Sequence, residues 1–208
     1  MSNTVHKVTA LITRDRNNQR EILVFQHPTA GIQLPAGTVE LGEDIETAVI
    51  REAQEETGIQ TFHIQAHLGD IKNELSEGEC IITQTIQARL EPHEKSMPYE
   101  RAFGRGVTVT FHESINDWSH ISYNEYNQMP NPQSIRWRVD GWVPNETISH
   151  NKPRHFYHLT TPEETSDRWS IIADGKHTFE PFWTPLSPKP NLISPQDGWL
   201  DAVYDQLI

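Results

Sequence analysis

The sequence predicts an α+β fold, a mixed sheet with flanking helices, interrupted by a small inserted β-barrel. Three observations carry this. Segments with period-two alternation dominate both ends of the chain. One segment, residues 44–57, instead repeats its apolar positions at helical spacing and carries stop signals at both ends. A third set of short alternating segments fills residues 91–153, a stretch too long for a structureless loop inside a compact domain.

In order, residues 5–13 alternate as a strand, 15–19 form a polar turn and 21–26 carry a second strand, together a hairpin. A loop at 27–31 leads to a short strand at 32–34 and the turn Pro35-Ala36-Gly37. His27 in that loop is a candidate substrate contact, weighed against an incidental role in a chain with 11 histidines. The helix follows at 44–57, then a strand at 61–71, a polar turn at 72–79 and a long strand at 80–90. Residues 106–110, 118–123 and 135–139 alternate next, and Gly141-Trp142-Val143-Pro144 precedes Ile148. Short strands at this spacing predict a small barrel. A strand at 154–160, a loop at 161–176 and a last strand at 177–186 complete the sheet. Residues 196–207 form an amphipathic closing helix with Trp199, Leu200, Val203 and Leu207 inward. The prolines of residues 181–195 read as the connection into that helix.

Residues 37–59 hold the chemistry. Asp44 can cap the first turn, Glu46 suits the positive end of the helix dipole, and Gly58 sits where a helix stops. Ile45, Ala48 and Val49 form an apolar stripe. Glu52 and Glu56 continue the same stripe and Glu55 flanks it, so like charges crowd one face and require a cation. Oxygen-only clusters of this kind suit a hard divalent ion, and Mg²⁺ in particular is usually shared between carboxylates and substrate phosphates. Arg51, four residues before Glu55, is placed to hold that side chain by an ion pair. The bland alternative is a solvated charged helix.

Gly37, Glu43, Arg51-Glu52, Glu55-Glu56, Gly58 and Ile59 match the pattern G-x5-E-x7-R-E-U-x-E-E-x-G-U, where U is a bulky aliphatic, and so resemble the signature of the Nudix hydrolases. The one departure is Ala53 at the first U, which fills less space. The resemblance implies an α/β/α sandwich with a mixed sheet and cleavage of a pyrophosphate bond with Mg²⁺ or Mn²⁺. It implies that Glu52, Glu55 and Glu56 ligate metal, that the carbonyl of Gly37 joins them, and that Glu43 either completes the carboxylate network or holds the helix through Arg51. Many members draw the general base from an acid on a later loop, where Glu163 and Glu164 fit by position. The implied substrate is a nucleoside diphosphate linked to another moiety. Leu34-Pro35-Ala36-Gly37 followed by Glu40 resembles the ADP-sugar type, although the residues past the box, Glu74, Leu75 and Ser76, match no subgroup marker. Residues 100–150 resemble an SH3-like barrel of the bacterial SH3 type. The implied domains are therefore 1–95 and 152–208 for the Nudix domain and 99–150 for the insert. Trp118, Tyr123, Trp137 and Trp142 are either a surface for a peptide or partner subunit or the barrel's own core.

Composition bounds the rest. A net charge of −12 argues against nucleic-acid binding and makes a metal bridge to an anionic substrate more necessary. Cys80 is the single cysteine, so no internal disulfide forms and a reducing compartment is expected; a strand residue is the simpler reading than a catalytic thiol. No apolar run approaches membrane length and no signal-peptide core is present, which makes the cytoplasm the expected location. Two other readings remain at this level: a non-catalytic nucleotide-sensing module whose insert binds a protein, and an insert that builds a homodimer.

Overall fold

The computed structural model describes residues 4–127, 134–173 and 177–208. Its first hairpin is set by two asparagines. Strands β1 (Lys7–Arg16) and β2 (Gln19–His27) are joined by Asn17 and Asn18, both left-handed with φ of 52° and 60°. Asparagine tolerates that conformation, and the two-residue turn matches the strands' twist, so the hairpin is tighter than the turn expected at 15–19. Strands β3 (Gly31–Gln33) and β4 (Ala36–Thr38), helix α1 (Ile45–Thr57) and strand β5 (His63–Ile71) follow. Next come β6 (Glu79–Ile82), β7 (Thr108–Ile115), β8 (Trp118–Tyr126), β9 (Ile135–Pro144) and β10 (Ile148–Ser149). The chain ends with β11 (Arg154–Thr160), β12 (Ile171–Ala173), β13 (His177–Pro185) and helix α2 (Gln196–Val203).

These elements form two compact units, Lys7–Asp70 with Arg154–Ile208, and Ile71–Pro153 with the N-terminal residues up to His6. The first holds a sheet in the order β12-β13-β2-β1-β11-β5, with β3 on β2 and β4 on β1. β1 and β11 run parallel while β1–β2, β2–β13 and β12–β13 are antiparallel, so the sheet is mixed. Alternation along β1 sends Val8, Ala10 and Ile12 to one face, where they join Ala48, Val49 and Ala53 of α1 and Tyr157 and Leu159 of β11 in one core. On the other face the buried Arg154 donates to Thr9 Oγ1 at 2.8 Å and stacks 3.6 Å from the Trp199 ring of α2. The two helices therefore cover opposite faces. The stacked indole and the hydroxyl offset the cost of burying a guanidinium.

Two further sequence expectations change in this unit. The loop expected at 161–176 contains β12, which pairs with β13; residues 174–176 lie outside the described residues. The closing helix is α-helical only through Val203 and finishes as a 3₁₀ turn, Tyr204–Gln206, with Leu200, Val203 and Leu207 buried.

The second unit is an antiparallel sheet in the order β10-β6-β7-β8-β9 around Cys80, Ile82, Phe103, Val109, Ile121 and Val139. The path is open, and no described pairing closes it into the expected SH3-like barrel. The strand expected at 80–90 stops at Ile82. Beyond it, single pairings Ile86–Phe103 and Arg89–Pro98 fold the chain into an irregular hairpin, in which Pro98 is tolerated because the bonds beside it run from the Leu90 and Tyr99 N–H groups to the Met97 and Ala88 carbonyls. Arg89 also pairs with Trp142, and a Cβ on Gly141 would sit 2.6 Å from the Arg89 carbonyl oxygen, so glycine is required for that approach. Tyr123 and Trp137 pack on this core, whereas Trp142 stacks on His120 at 4.8 Å. Among the described residues, no helix is long and apolar enough to cross a membrane.

Leu159 of β11 is fully buried in the first core. Leu159→Ala should lower the unfolding free energy by about 2–5 kcal/mol, read as a lower denaturant midpoint at unchanged slope in equilibrium unfolding.

Candidate functional site

The acidic end of α1 is positioned by caps and by β4. Asp44 accepts from the Thr47 N–H at 2.9 Å, and Gly58, at φ 78°, lets its own N–H reach the Gln54 carbonyl at 2.8 Å. Ala48, Val49, Ala53 and Thr57 are the buried stripe. Pairing of Val8 with Gly37 and of Thr9 with Ala36 then fixes β4 on β1, beside the helix.

Two backbone N–H groups of this segment meet two of the helix carboxylates. Thr38 N–H donates to Glu52 Oε1 at 3.0 Å and Ala36 N–H donates to Glu56 Oε2 at 2.8 Å. Between them Gly37 leaves no room for a side chain: a Cβ there would fall 1.9 Å from Glu52 Cδ and 2.1 Å from each of its oxygens. The glycine in this pattern is thus explained by the carboxylate lying against its Cα, since Gly37 is not at positive φ.

Arg51 ties the cluster together. Its Nε and Nη2 donate to Glu43 Oε1 at 2.9 Å and Oε2 at 3.0 Å, a two-point clamp. Nη1 donates to Glu52 Oε1 at 3.0 Å and to Glu55 Oε2 at 3.2 Å, and Nη2 also reaches the Thr38 carbonyl at 3.1 Å. The i, i+4 pair with Glu55 expected from spacing is present, but the Glu43 clamp is the shorter and less exposed contact. The guanidinium's pKa is driven up, first by Glu43, and the Glu43 carboxyl is held below its ordinary value, first by its bonds to Arg51. Glu52 moves the other way. Burial pushes its carboxyl up, and the charge and hydrogen bonds of Arg51 only partly offset this.

The remaining candidates fall elsewhere. Glu163 Oε1 accepts the N–H groups of Gln60 at 3.0 Å and Thr61 at 2.6 Å, just past the C-terminal end of α1, and lines a small cavity with Gly58, Ile59 and Trp169. Glu164 is exposed. His27 packs against Phe179 and His177, at ring distances of 5.1 and 5.5 Å. Cys80 is buried in the core of the second unit and its thiol is pushed up to about 12 by that burial, which removes it as a nucleophile. One cluster escaped sequence reasoning: His67 and Asp70 on β5 and His155 on β11 converge. His67 and Asp70 are three residues apart on one strand, but the third member depends on strand order.

The NUDIX domain family profile matches residues 5–155, more than half of the chain. A curated relative, Putative nudix hydrolase 1 of Caenorhabditis elegans, is 40% identical over 60 residues, which cover 27% of this chain and 16% of that protein. The alignment thus spans a small part of the relative's length. Among solved structures, the NUDIX domain of Shewanella oneidensis NrtR complexed with ADP ribose is similar at a TM-score of 0.47 and 11% identity, over 100% of this chain and 91% of that one.

Two outcomes follow from the geometry. Gly37→Ala should displace the Glu52 carboxylate and destabilise the fold by about 1–3 kcal/mol, measured by thermal or denaturant unfolding. Glu43 has a depressed folded pKa, so its contribution is present above the ordinary carboxyl value and lost as pH falls through the folded one. Glu43→Gln should therefore be less stable than wild type at neutral pH, with the difference shrinking in acid, as read from melting temperatures across pH.

Proposed function

The chain belongs to the NUDIX domain family, and on that premise we propose that it is a metal-dependent hydrolase cleaving a pyrophosphate bond in a nucleoside diphosphate linked to another moiety. The observation that carries this reading is that Arg51 bonds to Glu52 and Glu55 while backbone N–H groups of β4 bond to Glu52 and Glu56. Three carboxylates, Glu43, Glu52 and Glu55, bond to one guanidinium, and with Glu56 held on β4 the set is oxygen-only, which fits a hard ion such as Mg²⁺ or Mn²⁺. Both bonds that Glu52 receives fall on Oε1, so Oε2 is its oxygen for a cation. The burial that raises its pKa makes an added positive charge favourable there.

In this reading Glu52, Glu55, Glu56 and the Gly37 carbonyl hold the ion. When bound, the ion polarises phosphoryl oxygens and makes water a better nucleophile. The chain's own residues supply positioning. Arg51 fixes the rotamers of Glu52 and Glu55, Glu43 fixes Arg51, and the Ala36 and Thr38 N–H groups fix the carboxylates against β4. Of the two later-loop acids, Glu163 is engaged by two backbone N–H groups whereas Glu164 is exposed, which favours Glu164 as the base. The segment from Leu34 to Gly37 with Glu40 favours an ADP-sugar type of substrate. Residues 71–153 are assigned to a peptide, a partner subunit or a second copy of the chain. The strand order of that unit, with a 3₁₀ turn at Asn145–Thr147 before the short last strand, supports SH3-like connectivity in an open form.

The test is a substrate panel of ADP-ribose, other ADP-sugars, dinucleoside polyphosphates, coenzyme A, NADH and nucleoside triphosphates, with Mg²⁺ and with Mn²⁺, scored by product identity. Turnover of at least one diphosphate-linked substrate is expected; saturable binding without product would instead make the chain a sensor. Glu56→Gln should lower turnover by at least about a hundredfold while its circular dichroism and melting curve stay those of wild type.

A further inference from the structure

His67 and Asp70 lie on β5, the last strand in the sheet order, and His155 lies on its neighbour β11. Both imidazoles aim at the same atom. His67 Nε2 is 2.8 Å and His155 Nδ1 2.6 Å from Asp70 Oδ1, and one ligand atom from each of the three residues lies within 4.8 Å of the others. A carboxylate has two oxygens and about four lone-pair sites, so hydrogen bonding alone does not require two rings to crowd one oxygen. Serving it as two donors needs a proton on Nε2 of one ring and on Nδ1 of the other. A single cation among the three atoms satisfies all of them at once.

The donor set defines the ion. Two imidazoles and a carboxylate suit borderline divalent transition ions, whereas Mg²⁺ prefers an all-oxygen shell. Bonds of about 2.0–2.1 Å in a tetrahedron put ligand atoms about 3.3 Å apart, so the cluster must open by about half an ångström. His67 and Asp70 have that freedom, with 44% and 41% of their side-chain surface exposed.

We propose that His67, Asp70 and His155 form a second metal site, for Zn²⁺ or a similar divalent transition ion, distinct from the oxygen-only cluster on α1. With three protein ligands it keeps an open position for water or an exogenous ligand. Its ligands come from two neighbouring strands, so the ion clamps β5 to β11 and stabilises the sheet increasingly as the free ion concentration exceeds its dissociation constant. The inference does not rest on the hydrolase reading.

The test uses the full chain, stripped with chelator and held in millimolar Mg²⁺, titrated with Zn²⁺ by calorimetry and with Co²⁺ by visible absorption. One equivalent of Zn²⁺ bound per chain, with a rise in melting temperature, is expected. Affinity should fall at least about tenfold in Asp70→Asn and in His67→Gln and be kept in Glu56→Gln. Metal-free melting curves establish that the variants fold; should Asp70→Asn fail, His67→Gln, at an exposed side chain, decides. No Zn²⁺ binding, binding that survives in the folded triad variants, or binding lost in Glu56→Gln would each overturn the proposal.

Discussion

The clamp of Arg51 on Glu43 is the interaction on which the rest of the first unit's chemistry depends. Glu43 precedes the helix, Thr38 ends β4, and Glu52 and Glu55 lie on α1; the guanidinium bonds to all four. A planar fork with five donors can do this, and a lysine ammonium cannot reproduce the geometry. Without it, Glu52 would be a buried carboxylate beside other carboxylates with only a backbone N–H to offset its burial. The same clamp explains the opposite pKa directions in the cluster. Glu43 receives two direct bonds and is held low, while Glu52 shares the cation and is dominated by its burial.

Much of this site was legible in the sequence because it is local. Asp44, Gly58 and the Ile45–Val49 stripe define the helix by capping and periodicity, and helical spacing alone puts Glu52, Glu55 and Glu56 together. Spacing also suggested the Arg51–Glu55 pair, but it could not rank that pair below the Glu43 clamp, which depends on how the loop returns to the helix. The steric reason for Gly37 was equally hidden. It is a property of β4 pairing with β1, not of the turn.

The features that sequence reasoning missed are non-local. The His67–Asp70–His155 cluster needs β5 to lie beside β11, two strands separated in the chain by residues 72–153. β12 is three residues long and stands out only once β13 pairs with it. In the second unit, period-two alternation located β7, β8 and β9 but read polar residues after Ile82 as more strand. Alternation reports which faces a segment could present, and it does not report whether a partner strand exists. For the same reason short alternating segments suggested a closed barrel where the described strands leave the path open.

The central claim is that the carboxylates of α1 hold the catalytic ion. Anomalous scattering at the manganese edge, from crystals grown with Mn²⁺, tests it most directly. The account predicts a peak bounded by the carboxylates of Glu52, Glu55 and Glu56 and the carbonyl of Gly37. A data set from Mn²⁺-saturated crystals with no peak among those groups would contradict it.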